Sequence, residues 1–316
     1  MHSRSQPNSV SPIDLGLLIY LGAVFGAAFL FFRVAAPEVG PVWTAEIRVA
    51  VAGLALAAVT GRRLWHVARA NLGPIVFVGL TFSAIPFTLL AFSTLTLPAS
   101  LASVLMATTP LFTALVGAVW LRHRLTPSVG VGLAIGFGAV IVLVGGAPIE
   151  LSPAALLAFA AGLGAAFSYA VAGTFVRRRL GDVEPTELAA GQLVAAAIVL
   201  LPLAIGSGPF VVPTPAAAAS LIAMAIVSTA IAWPVFFRIS RRTNATAASS
   251  ATFIVPMFGM LWGGLFLGES IGAELLVGFG LVLLSLVLVL RLPLSFPAAR
   301  RLRLAVHRPH GAPAPP

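Results

Sequence analysis

Apolar stretches alternate with short polar connections along almost the whole chain. Each stretch is about 20 residues long, the length a helix rising 1.5 Å per residue needs to cross a hydrocarbon layer about 30 Å thick. Ten helices are predicted: Ile13 to Val34, Trp43 to Thr60, Gly73 to Thr94, Leu97 to Leu121, Pro127 to Gly146, Pro153 to Phe175, Thr186 to Gly206, Pro215 to Phe237, Asn244 to Leu267 and Ile271 to Leu290. Only Leu95 and Thr96 separate the third from the fourth. A polar segment, 1–12, precedes the first helix, which is too long for a signal peptide's apolar region and is expected to be retained. After Leu290 the chain is Pro-rich and basic, so 291–316 is expected to be a disordered cytoplasmic tail.

The positions of the arginines support this count. Arg62, Arg63 and Arg69 fall in the second connection, Arg122 and Arg124 in the fourth, Arg177, Arg178 and Arg179 in the sixth, and Arg238, Arg241 and Arg242 around the eighth. Odd-numbered connections carry Glu38, Glu150, Glu269 and Glu274 or no charge at all. Basic residues collect in cytoplasmic loops, so every even connection is placed inside. Arg4, Arg291, Arg300, Arg301, Arg303 and Arg308 place both termini there too. Only Arg33 and Arg48 break the alternation, and Arg33 is expected to snorkel to the outer interface.

Composition narrows the class further. Over 316 residues, 59% are hydrophobic and 9% charged, and the mean hydropathy is +1.05, which excludes a water-soluble fold. The net charge of +10 is accounted for by topology, so no nucleic-acid partner is implied; membrane lipid is the expected surrounding. With no Cys there is no disulfide and no thiolate chemistry. His2, His66, His123, His307 and His310 all lie in tails or connections, and no metal spacing or phosphate-cradling Gly-rich motif appears. No cofactor or metal is expected, which argues against an intramembrane enzyme and leaves a transporter and a receptor or scaffold without transport as the alternatives.

The chain contains an internal repeat. Leu97 to Leu143 laid over Thr243 to Val289 without a gap matches ten positions, among them Ala99 with Ala245, Ser103 with Ser249, Pro110 with Pro256, Gly117 with Gly263, Leu121 with Leu267 and Gly132 with Gly278. Gly26-Ala27-Ala28-Phe29 is echoed by Gly164-Ala165-Ala166-Phe167. Two halves, 13–146 and 153–290, then hold five helices each, and an odd number forces the second half to enter inverted. Arg122-His123-Arg124 has Gly268-Glu269-Ser270 as its counterpart, so the matching loops have exchanged charge. Inverted halves characterise secondary transporters.

At this point the sequence resembles the drug/metabolite transporter superfamily, specifically its EamA-type members. The resemblance rests on Pro256 followed by Leu267-Gly268-Glu269, on Arg48 early in the second helix, and on the repeat layout. It departs in the first half, where Arg122-His123 stands in place of Gly-Glu, and Val49 follows Arg48 in place of Phe. It implies an all-α polytopic protein of the bacterial inner (plasma) membrane that exports small metabolites such as amino acids or amphipathic toxins. Protons are a candidate coupling ion. The oligomeric state, monomer or homodimer, stays open.

Ionisable groups within the membrane are functional candidates, because a mid-bilayer charge costs about 2.5–3.5 kcal/mol on insertion scales. Arg48 either pairs with a substrate carboxylate or serves as a structural tie to Glu46, backbone carbonyls or headgroups. Glu46 is a candidate proton carrier or an interfacial acid beside Trp43. Gln192 aligns with Arg48 and is read as facing the same path or as interhelical glue. Ser83, Thr88, Tyr169, Trp233 and Thr252 are candidate substrate contacts; Pro110 and Pro256 are candidate hinges, each freeing a carbonyl one turn earlier. Glu269 is expected to cap the start of the tenth helix near Ile271.

Overall fold

The computed structural model describes residues 12–120, 126–147, 149–150, 152–242 and 245–290, apart from the side chains of 12, 242 and 245–252. Residues 1–11, the Arg122-His123-Arg124 connection, the side chains of Ser249 and Thr252 and the tail 291–316 therefore lie outside the described residues.

Regular structure among the described residues is entirely helical. In chain order it comprises α1 (Pro12–Val39), α2 (Pro41–Thr60), α3 (Arg62–Ala70), α4 (Leu72–Val78), a π-helical turn π1 (Gly79–Ala84), α5 (Ile85–Thr96), α6 (Ala99–Met106), α7 (Thr109–Trp120), α8 (Pro127–Gly145), α9 (Pro153–Arg179), α10 (Pro185–Gly206), α11 (Pro215–Ala225), a second π turn π2 (Ile226–Ile231), α12 (Ala232–Arg242), α13 (Ala245–Leu267) and α14 (Ala273–Leu290). Among the described residues nine helices, with α4–π1–α5, α6–α7 and α11–π2–α12 each counted as one, are long and apolar enough to cross a membrane, and α13 adds a shorter apolar stretch, Phe253–Leu267. The chain is an all-α polytopic membrane protein.

Local chemistry sets the starts. Pro41, Pro127, Pro153, Pro185 and Pro215 open α2, α8, α9, α10 and α11, where a missing N–H costs nothing. Ser152 and Thr214 accept from the amides of Ala155 and Ala217 as N-caps. Leu97-Pro98 ends α5, since the residue before a proline disfavours the helical region. Two features were not expected from sequence. The second connection holds an amphipathic helix, α3, with Arg69 over the Trp65 ring at 4.3 Å. The fourth span is not one helix but two, broken at Ala107 and Thr108, so Pro110 sits in the first turn of α7 and not mid-helix.

Large apolar side chains such as Leu54, Val119, Ile141 and Ile198 point outward, as a lipid-facing surface requires, while the interior is rich in Ala. The principal contacts pair α2 with α10, α8 with α14 and α1 with α13. The α8–α14 contact is reciprocal: a Cβ on Gly132 would lie 2.8 Å from Val289 Cγ2, and one on Gly278 would collide with Leu143 Cδ2. Gly132 and Gly278 are repeat counterparts, and so are Leu143 and Val289. Each half thus supplies one hole and one knob.

Both ends of the bundle are tied across distant segments. At one end Trp43 Nε1 donates to Gly208 O at 3.0 Å, Glu38 accepts from the Thr214 amide and hydroxyl at 2.8 Å each, and Glu269 accepts from the amides of Ala99 at 2.6 Å and Ser100 at 2.8 Å. Arg33 donates to the Thr94 and Leu95 carbonyls at 2.7 and 2.8 Å. These contacts correct two expectations: Glu269 caps α6 and not the tenth helix, and Arg33 caps the C-terminus of α5 instead of snorkelling. At the other end Arg241 stands 3.6 Å from Glu184 and donates to Val183 O, and Ser128 donates to Leu288 O. The segments around Gly40, Leu97, Gly208 and Gly268 thus lie at the first end and those around Glu184 and Arg241 at the second.

Candidate functional site

Two prolines prepare the centre of the molecule. Pro86 and Pro234 each lack an amide and crowd the carbonyl four residues earlier, at Phe82 and Ala230. Those carbonyls lie inside π1 and π2, where the helix widens to accommodate the ring. Ser83-Ala84-Ile85 and Thr229-Ala230-Ile231 occupy these turns and are related by the same offset that pairs Leu97 with Thr243. The wider turn lets Thr229 Oγ1 reach back five residues to Met224 O at 2.8 Å.

Arg48 enters this region from α2 and is 3% exposed. Its Nε donates to Thr229 Oγ1 at 2.8 Å and its Nη2 to Ser228 O at 3.5 Å. Ser228 in turn donates to Val24 O at 2.7 Å, which ties π2 to α1. The guanidinium lies 3.7 Å from the Phe87 ring centroid and 5.1 Å from that of Phe32, close enough for attraction to the negative ring faces. No carboxylate among the described residues lies within ion-pair distance of it. A cation desolvated in this way, with neutral partners only, leaves a strong demand for an anion.

An aromatic wall continues from Phe87. Trp233, 4% exposed, meets Phe82 at 4.8 Å, Phe236 at 5.3 Å, Phe25 and Phe237 at 5.5 Å, and stacks on Tyr169 at 6.3 Å between centroids. Phe87, over which the Arg48 guanidinium lies, has its centroid 6.5 Å from that of Trp233, which joins the cation to the Trp233–Tyr169 stack. Of the residues singled out from sequence, Arg48, Tyr169 and Trp233 are therefore brought together.

The others separate. Ser83 in π1 and Gln192 in α10 are fully buried, and neither Ser83 Oγ nor either Gln192 amide atom has a hydrogen-bond partner among the described residues. Glu46 is 5% exposed, with Oε2 likewise unpartnered, which excludes an open interfacial position for its side chain. Thr88 spends its hydroxyl on Ala84 O at 2.9 Å. Pro256 lies within an unbroken α13. Sequence reasoning missed Thr229, Phe32, Phe87 and both π turns; the legible signals were Pro86, Pro234 and the Ser83–Thr229 correspondence.

A separate cavity of about 330 Å³ opens at the Glu269 end between Ser100, Leu101, Glu274 and Leu275. Its best-placed carboxylate, Glu269, is already committed to the α6 amides. No group of three His, Asp or Glu among the described residues is placed to hold a metal.

Comparison with known proteins gives a consistent answer. Residues 14–145 and 156–291 each match the model of the EamA-like transporter family. An uncharacterized transporter of Archaeoglobus fulgidus is 25% identical, covering 84% of this chain and 95% of its own length. The uncharacterized transporter YvbV of Bacillus subtilis is 26% identical over 86% of this chain and 90% of its own. A protein of Streptantibioticus cattleyicolor named a probable terminal-alkyne amino-acid exporter is 27% identical, over 87% and 92%. One solved crystal structure superimposes with a TM-score of 0.57 at 20% identity, covering 89% of this chain and 98% of that one, which is a likeness of fold.

Proposed function

The chain belongs to the EamA-like transporter family, and from that premise we propose that it is a secondary transporter exporting amino acids or related small amphipathic carboxylates by alternating access. The observation that carries the substrate class is Arg48, a guanidinium buried near the middle of the bundle with two neutral hydrogen-bonding partners and two aromatic faces. A substrate carboxylate supplies the missing opposite charge in the fork geometry that guanidinium favours. The aromatic wall around Trp233 and Tyr169 receives the apolar part. The relative named as an amino-acid exporter supports the same class.

Two inverted halves, 13–146 and 153–290, account for the alternating access. With α13 added to the nine as a further span, ninth in chain order, the reciprocal Gly132 and Gly278 contacts and the corresponding π turns both support this reading. The break before Pro110 serves as one hinge and Pro256 as the other. Glu46, buried with a free carboxylate oxygen, is the proton-coupling group. Both termini are cytoplasmic in a bacterial inner membrane, and the protein performs no covalent chemistry.

Transport of pooled radiolabelled L-amino acids in proteoliposomes tests this reading. Wild type is expected to give counterflow, and Arg48→Ala to lose tenfold or more of it, an order of magnitude set by one charged hydrogen-bonded contact. Equal counterflow by Arg48→Ala at equal reconstitution sinks the assignment of Arg48. No counterflow by wild type sinks the substrate class.

A further inference from the structure

A carboxylate drawn in from the face marked by Arg241 and Glu184 has to pass the packing of α2 on α10 before it reaches Arg48, and that packing defines what it meets. The two helices are antiparallel: the start of α2 at Trp43 is bonded to Gly208, just past the end of α10. They touch where a Cβ on Gly53 would stand 3.2 Å from Val194 N and 3.3 Å from Leu193 C. Arg48 precedes this crossing in α2 and Gln192 precedes it in α10. In antiparallel helices those positions fall on opposite sides of the crossing, roughly 10 Å apart along the path at 1.5 Å per residue.

The surroundings of Gln192 repeat those of Arg48. π1 packs on α10 as π2 packs on α2, and a Cβ on Gly79 would come within 2.6 Å of the Gln192 carbonyl oxygen. Ser83 is the repeat counterpart of Thr229. Thr229 is engaged by Arg48, whereas Ser83 Oγ and both Gln192 amide atoms are buried with no partner among the described residues. Three orphaned polar atoms in a membrane interior are each costly, which indicates that a hydrogen-bonding guest belongs there.

We propose that Gln192 and Ser83 form a second binding station for the substrate's carboxylate, uncharged and weaker than Arg48, at which substrate arriving from the face marked by Arg241 and Glu184 is held before it passes on to Arg48. The proposal rests on Arg48 binding carboxylates. Gln192 Nε2 and the Ser83 hydroxyl donate to the carboxylate, and Gln192 Oε1 accepts from the substrate's ammonium group. Neutral donors offset part of the desolvation of an anion without holding it tightly, and passage requires sites weak enough to leave.

The test uses full-length protein in proteoliposomes with pooled radiolabelled L-amino acids, comparing wild type with Gln192→Leu, Ser83→Ala and Gln192→Arg, and with Arg48→Ala as reference. Gln192→Leu and Ser83→Ala are expected to lower turnover about fivefold to tenfold with KM within twofold, because capture by Arg48 is intact and one neutral hydrogen bond at the second station is lost. Gln192→Arg is expected to lower both KM and turnover, since a charged second station traps the substrate. Wild-type turnover in both Gln192→Leu and Ser83→Ala overturns the second station, as does a rise in KM that matches the fall in turnover. Wild-type counterflow that Arg48→Ala leaves unchanged instead overturns the reading beneath it, so the two failures are told apart. If Gln192→Arg fails to insert, the two smaller variants decide alone.

Discussion

The Arg48–Thr229 side of the α2–α10 crossing and the Gln192–Ser83 side share a backbone plan but not its chemistry. Each has a widened turn set by a proline and a hydroxyl in that turn, and on the neutral side Gly79 also lets π1 approach the backbone of α10 closely. On one side a long cation reaches the hydroxyl at 2.8 Å. On the other the shorter, neutral Gln192 amide and the Ser83 hydroxyl have no hydrogen-bond partner among the described residues. The lesson is that segments corresponding in sequence share a backbone plan, while single side-chain differences give its two occurrences different chemistry. The same contrast separates the fourth and ninth spans, one broken at Ala107 and Thr108, the other continuous through Pro256.

The largest expected effect comes from destroying the backbone contact on the neutral side. Gly79→Leu places a side chain where even a Cβ would stand 2.6 Å from a carbonyl oxygen, so overpacking of about 3 kcal/mol or more is expected. Monodispersity and melting temperature in detergent read it out, and a stable Gly79→Leu protein refutes the close packing of π1 on α10. Next, Arg48→Gln makes the two sides chemically alike. Substrate affinity should fall tenfold to a hundredfold, in line with about 1.5–3 kcal/mol for a charged hydrogen bond; equilibrium binding measures it, and unchanged affinity means the asymmetry is ornamental. Smaller is the loss in Glu269→Ala, which strips two amides at the start of α6 and should cost about 1–2 kcal/mol in thermal stability. The smallest is Thr229→Val, about 1 kcal/mol in stability, with KM rising less than fivefold because the cation itself remains. A Thr229→Val loss as deep as that of Arg48→Gln would mean that the hydroxyl, not the charge, sets affinity.

Sequence pattern was enough to place the spans, because a bilayer imposes one length on every crossing, and the helix bounds fall within a few residues of the apolar stretches. Arg48 was legible for the same reason: charge is rare and expensive at that depth. Local signals failed where the partner was remote. Glu269 reads as a cap for whichever helix begins next to it, yet packing offers it the start of α6, 170 residues back. Arg33 reads as a snorkelling side chain until α5 is seen to end beside it. The π turns are invisible to hydrophobic periodicity, which tolerates one extra residue per turn, although Pro86 and Pro234 mark where the strain falls.

The contact between Glu269 and the amides of Ala99 and Ser100 also sets an order of assembly. At 5–20 residues per second a ribosome needs roughly ten to thirty seconds to make the 170 intervening residues. Until Glu269 has been made, the amides of Ala99 and Ser100 are without this partner, so the distal part of the chain completes the start of α6.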